Sequence, residues 1–192
     1  MHNALRYIIA AVLLLSSAHV ALAQEAEVPV KVQFALFCKA LTFDRELETR
    51  CGDTLVIGLL HQSRFRTSKD AMRDVKDEVA EKMISEIKNI PLQLVSIDVE
   101  EKDWTRLALE RSVDVVYLMP VRAMKTEELT GFTRKHHVLS WTAHYSRVAE
   151  GLSLGLRLLD GRPQFVINLD ASHMEGAELS SQLLRLAEVI DR

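Results

Sequence analysis

The chain has 192 residues, 48% of them hydrophobic and 27% charged, with a formal net charge of −3. That is enough apolar material for one domain with its own core. The mild acidity excludes the concentrated basic surface that nucleic-acid phosphates require, and it offers nothing to an anionic membrane face.

The first 23 residues carry the three parts of an export signal. Arg6 gives the positive n-region, residues 8–15 an apolar core, and Ala21-Leu22-Ala23 a small-x-small cleavage site ahead of Gln24. The apolar run is too short to cross a bilayer as a helix, which takes about 20 residues. The expectation is a signal peptide over residues 1–23, cleaved after Ala23, and one α/β domain over residues 24–192. That domain works outside the cytoplasm without inserting into the membrane. In an oxidising compartment Cys38 and Cys51 are candidates for a disulfide, with two separate thiols as the alternative. Closing so short a loop would contribute about 3 kcal/mol.

Residues 24–29 read as a leader. Residues 30–43 are densely apolar, with Val30, Phe34, Phe37 and Leu41 at helical spacing. Residues 54–60, after Gly52-Asp53, have the pattern of a buried strand. The clearest helix follows. Thr67 with Asp70 three residues on fits a capping box, and Met72, Val75, Val79, Met83, Ile87 and Ile90 form one apolar stripe. Asp74, Asp77, Glu78, Glu81 and Lys82 fall on the opposite, solvated face, and Pro91 stops the helix. A strand over 92–99, a helix over 102–112, a strand over 113–119 closed by Pro120, a shorter helix over 123–133 and a strand over 138–142 complete the alternation.

Such alternation builds right-handed βαβ units around a parallel sheet. The end of the chain breaks the rhythm. Residues 152–159 and 162–169 flank Asp160-Gly161, a residue pair suited to a type I′ hairpin turn. The register pairs Leu158 with Pro163, Leu156 with Phe165, Leu154 with Ile167 and Leu152 with Leu169, all on one face. A last helix with Leu179, Leu183, Leu186 and Ile190 as its buried stripe closes the chain. The expected fold class is α/β: a single three-layer domain with a mainly parallel sheet, a C-terminal antiparallel β-hairpin and a final C-terminal helix.

Catalytic motifs are sparse. Gly151-Leu152-Ser153-Leu154-Gly155 fits G-x-S-x-G, but a nucleophile elbow needs a strand-to-helix turn, and Ser153 falls inside a hairpin strand opposite Asn168. His173 lies only three residues from Asp170, poorly separated for a triad. His136, His137 and His144 lack the patterned Cys or carboxylate partners of a metal site, and adjacent strand residues point to opposite faces. There is no P-loop, G-x-G-x-x-G, H-E-x-x-H or C-x-x-C. Asp98, Glu100, Glu101 and Asp103 cluster near a strand end, where open α/β sheets bind ligands, but a solvated loop that also favours the following helix N-terminus is the better reading. Trp141 near another strand end could line a pocket, but core packing is the better reading. No cofactor, no metal and no enzymatic activity are expected.

The C-terminal third carries a resemblance. Arg162-Pro163-Gln164-Phe165-Val166-Ile167-Asn168-Leu169, the Ala171-to-Gly176 stretch, and Leu179-Ser180-Ser181-Gln182-Leu183-Leu184 running on to Ala187 resemble the end of the YfiR-like family. Upstream, Phe43-Asp44-Arg45 and Leu55-Val56-Ile57-Gly58 are similar more loosely. The resemblance implies a periplasmic, non-enzymatic α/β regulator whose partner is an inner-membrane sensor, bound through its periplasmic domain, with a diguanylate cyclase and cyclic-di-GMP downstream. It assigns Phe165, Asn168, Gly176, Ser180 and Ser181 to structural roles and leaves the partner interface and a homodimer open. Control would follow from tighter binding to one sensor conformation. The competing readings are a periplasmic small-ligand binding protein and, behind it, a serine hydrolase using Ser153.

Overall fold

The computed structural model describes residues 28–190, so the export signal expected over residues 1–23 lies outside the described residues. Among these, eight strands form one sheet: β1 (Leu55–His61), β2 (Glu86–Ile87), β3 (Ile90–Asp98), β4 (Val115–Leu118), β5 (Leu139–Thr142), β6 (Leu154–Leu159), β7 (Arg162–Asn168) and β8 (Ala187–Ile190). Their spatial order is β2-β3-β1-β4-β5-β6-β7-β8. Strands β3, β1, β4, β5 and β6 run parallel. β7 turns back antiparallel to β6, and β8 runs parallel to β7.

The helices are α1 (Val30–Leu41), α2 (Leu47–Cys51), α3 (Arg66–Glu81), α4 (Trp104–Glu110), α5 (Thr126–His136), α6 (Tyr145–Ala149), α7 (Leu169–Met174) and α8 (Ser181–Leu184). Period-two alternation sorts the strand side chains into two cores. Leu55, Ile57, Leu59, Val115, Tyr117 and Trp141 pack with Phe34 and Phe37 of α1 and Val75 of α3. Val56, Leu60, Val95, Ile97 and Val116 pack with Trp104 of α4 and Leu129 and Phe132 of α5. The result is a three-layer α/β domain with helices on both faces, as a mainly parallel sheet requires. Among the described residues no helix is long and apolar enough to cross a membrane.

The hairpin forms in the expected register over three pairs: Leu154 with Ile167, Leu156 with Phe165 and Leu158 with Pro163. Asp160 and Gly161 both take positive φ, 51° and 73°, as a type I′ turn demands. The fourth pair does not form, because Leu152 joins the opposite core and Leu169 opens α7.

Two expected helices are shorter than their apolar stripes. α3 ends at Glu81 in a Schellman-type turn: Met83 is left-handed at φ 50°, and Ile84 N–H donates to Val79 O at 3.0 Å. Ile87 and Ile90 then face each other across a two-residue turn at Lys88-Asn89, both with positive φ. Residues three apart meet on a helix and also across such a turn, so the spacing alone could not separate the two. Pro91 therefore lies one residue inside β3, not at a helix end. Thr67 and Asp70 form no capping box either; α3 starts after Phe65 without a side-chain cap. Likewise the final helix is a single turn, α8, after which residues 187–190 pair with β7 as β8 and leave Leu186 exposed. On α3, Glu78 is buried beneath α1 with Lys31 at 3.9 Å, so the charged face is solvated only in part.

A buried ion pair staples the two ends of the domain. Asp44, wholly buried, accepts from Arg50 Nη2 at 2.6 Å and from the N–H groups of Glu46 and Glu178. Beside it Arg45 N–H donates to Glu178 O and Ser180 N–H to Phe43 O, both at 2.9 Å, so the segments around Phe43 and Ser180 form a small antiparallel bridge. Removing one partner strands the other charge in the interior. Asp44→Ala is expected to lower unfolding free energy by about 3 kcal/mol in urea titrations, with Asp44→Asn losing less.

The crevice at the carboxyl ends of the strands, a candidate functional site

Parallel strands bring their carboxyl ends to one rim. From β1 the chain crosses through α3 to β3 on one side, then through α4 to β4 on the other. Between β1 and β4 the connecting loops diverge, and such a topological switch point leaves a crevice. Here it is a cleft of about 470 Å³. Leu118, Met119, Pro120, Val121 and Arg122 line it from the end of β4, Phe65 and Thr67 from the start of α3, and His144, Ser146 and Arg147 from α6 and its cap.

The walls are held by polar side chains from neighbouring strand ends. Gln62 Oε1 accepts from the N–H groups of Arg122 at 2.8 Å and Ala123 at 3.3 Å, tying the loop after β4 to the loop after β1. Gln62 Nε2 donates to Glu100, whose other oxygen accepts from Ser63 Oγ and Arg64 N–H. Asp98 accepts from the N–H groups of Ser63 and Glu100. Partial burial works against its charge, but these hydrogen bonds win and hold its carboxyl below the usual range. Two members of the acidic cluster, Asp98 and Glu100, thus brace the β1–α3 loop, and neither lines the cleft.

The charge that does line the cleft is positive. The Arg122 guanidinium lies 4.3 Å from the centre of the Phe65 ring, a cation–π stack that fixes its plane. Arg147 Nη1 donates to Thr126 Oγ1 at 2.6 Å and stands 3.7 Å from Glu150 Oε2. Among the described residues no carboxylate lines the cleft. Sequence reasoning passed over Phe65, Arg122 and Arg147. Their one available signal was position, each following a predicted strand closely.

The other candidates lie elsewhere. Trp141 is wholly buried, its ring 4.8 Å from Phe37, and belongs to the core. His136 packs its ring against Phe132, His137 is the left-handed cap of α5, and only His144 reaches the cleft. Among the described residues no group of three or more His, Cys, Asp or Glu is placed to hold a metal. Cys38 and Cys51 are free thiols. Burial pushes Cys38 up to about 12, and Cys51 Sγ donates to Leu47 O within α2.

Ser153 is buried and donates its hydroxyl to Glu175, itself wholly buried. Each conspicuous residue of G-x-S-x-G has a packing cause. Gly151 adopts φ 120°, Ser153 meets Glu175, and a Cβ on Gly155 would come within 2.5 Å of Val148 in α6. Glu175 also accepts from Thr133 Oγ1 at 2.6 Å, Ser140 N–H at 2.7 Å and Ser140 Oγ at 2.9 Å. Of the residues singled out by resemblance, Asn168 caps α7 by accepting from Ala171 N–H at 3.0 Å. Phe165 lies edge-on to Trp141, and Gly176 takes φ 81° directly after Glu175. Ser180 occupies the N-cap position of α8 without a side-chain capping hydrogen bond, and Ser181 is the first residue of that helix, exposed.

Fold and crevice together define an open α/β domain of the doubly wound kind. The chain belongs to the YfiR/HmsC-like family, whose model matches residues 48–188. A comparison with curated proteins gives no match. Among solved structures it is similar to the ABC domain in complex with L-Trp from Streptococcus pneumonia, at 14% identity and TM-score 0.60 over 84% of this chain and 62% of that one. It is similar also to a conserved domain protein from Vibrio cholerae, at 15% identity and TM-score 0.63 over 88% and 61%. A third is a ligand-free, open substrate binding protein with adhesive properties from Clostridium difficile, at 12% identity and TM-score 0.52 over 76% and 57%. The chain thus spans only about three-fifths of each of these proteins. At such identities the likeness is one of fold.

Burial raises the Glu175 carboxyl above its usual value, against the hydrogen bonds that favour its charge. The folded protein therefore holds this proton to higher pH than the unfolded chain. The associated stability is full below the unfolded value, about 4.3, and is lost as pH rises through the folded one. Glu175→Gln keeps the proton-bound shape at every pH. Its melting temperature relative to the parent protein should therefore climb from about pH 4 to pH 8. Glu175→Ala, which strips the acceptor from buried donors, should lose about 3 kcal/mol throughout.

Proposed function

We propose that the protein is an exported, non-enzymatic regulator, with residues 1–23 as its signal peptide. In the periplasm it binds the external domain of an inner-membrane diguanylate cyclase or related signalling protein. The observation that carries this reading is the YfiR/HmsC-like match across residues 48–188. The burial of Ser153 against Glu175 supports the non-enzymatic part, since a nucleophile must reach substrate. The regulator acts by binding one conformation of its partner more tightly than another, because equal affinity shifts nothing.

A second reading, a small-ligand binding protein, is favoured by the cleft at the switch point. The L-Trp complex of the similar Streptococcus domain lends it some support. Ligand binding and partner binding are compatible in one regulator.

Affinity capture from envelope extracts with the tagged protein is expected to recover an inner-membrane signalling protein, and deletion of the gene is expected to change cyclic-di-GMP. Capture of no such protein together with unchanged cyclic-di-GMP would refute the regulator reading.

A further inference from the structure

The cleft has features that the binding of a partner protein does not explain. Its volume, about 470 Å³, falls in the range that small-molecule sites occupy. Its floor is apolar, with Leu118 and Met119 buried at the end of β4 and Pro120 and Val121 above them. Its two strongest charges are guanidinium groups brought in by different elements, Arg122 after β4 and Arg147 in α6. Arg122 has no ion-pair partner among the described residues; its plane is fixed by Phe65 and its backbone by Gln62. Arg147 spends one N–H on Thr126 and is only loosely offset by Glu150 at 3.7 Å, leaving donors of its five-donor fork unspent.

A cation on a flexible exposed side chain costs little when it has no partner. A guanidinium stacked on a ring has already lost much of that freedom, so less ordering is left to oppose a ligand. Two guanidinium groups lining one cleft, with no carboxylate among its described lining residues, suit an oxyanion, which a guanidinium meets with paired N–H donors.

We propose that this crevice binds a small organic anion. Its carboxylate or phosphate group is held by Arg122 and Arg147, and its body lies against Pro120 and Val121. For the regulator proposed above, such an anion would be the stimulus. The site does not rest on that reading, because partner capture and anion binding are measured separately and either can fail alone.

The test is titration calorimetry of the full protein with sodium succinate and, separately, sodium phosphate, each against sodium chloride at equal ionic strength. The two arms distinguish a carboxylate from a phosphoryl ligand. Saturable one-to-one binding is expected in at least one arm, weakened about tenfold or more by Arg122→Gln and by Arg147→Gln, each removing charged hydrogen bonds. Arg106→Gln, on the exposed face of α4, should bind as the parent protein does. Arg122 is exposed and makes no side-chain hydrogen bond within the described residues, so its variant should fold normally, checked by its melting temperature. No saturable binding beyond chloride in either arm overturns the proposal. So does binding that Arg122→Gln leaves unchanged.

Discussion

Strands β5 and β6 pair over only two residues, Trp141 with Leu154 and Thr142 with Gly155, yet everything after residue 154 in the sheet hangs from that ladder. Where the strands have not yet met, the carboxylate of Glu175 fills the gap. It takes the Ser140 N–H and hydroxyl on the β5 side and the Ser153 hydroxyl on the β6 side. Ser140 Oγ in turn accepts from Ser153 N–H at 2.8 Å. Thr133 adds a bond from α5, so one side chain joins two strands, a helix and the turn after α7. Without it, four buried donors would lose an acceptor. The antiparallel end of the sheet would then be docked by a single short rung.

This knot lies toward the amino ends of β5 and β6, and the crevice lies at the carboxyl ends of the parallel strands. Stability and candidate binding chemistry are thereby segregated to opposite rims. The Asp44–Arg50 pair also serves structure: it fixes the segment after α1 to the segment before α8. The crevice rim, by contrast, is built of loops that Gln62, Asp98 and Glu100 hold in place, with the Arg122 guanidinium making no hydrogen bond among the described residues. Loops on a rigid sheet are the common place for recognition for this reason.

Much of the architecture was legible. The hairpin register followed from Asp160-Gly161 and the alternation of Leu154, Leu156 and Leu158 against Pro163, Phe165 and Ile167, because a two-residue turn leaves one register free of conflict. The two misread helices shared one cause. Ile87 with Ile90, and the leucines running to Leu186, recur at spacings of three or four that short strands around a tight turn also satisfy. Lys88-Asn89 lacks the glycine that advertises such a turn. Glu175 carried no signal at all. An acidic residue between Met174 and Gly176 reads as surface, and only the convergence of Thr133, Ser140 and Ser153 makes it a buried acceptor.

By itself, the sequence determined the layered α/β class, the parallel rhythm of the first two-thirds and the hairpin, since each depends on periodicity and turn chemistry within a few residues. It also held the segments by which the chain resembles its family. Tertiary structure alone decided that Ser153 is a bracing group and Trp141 a core residue, and that Phe65, Arg122 and Arg147 share one cleft. Those outcomes depend on which strand ends become neighbours, and strand order is set by packing across the whole sheet, not by any local run of residues.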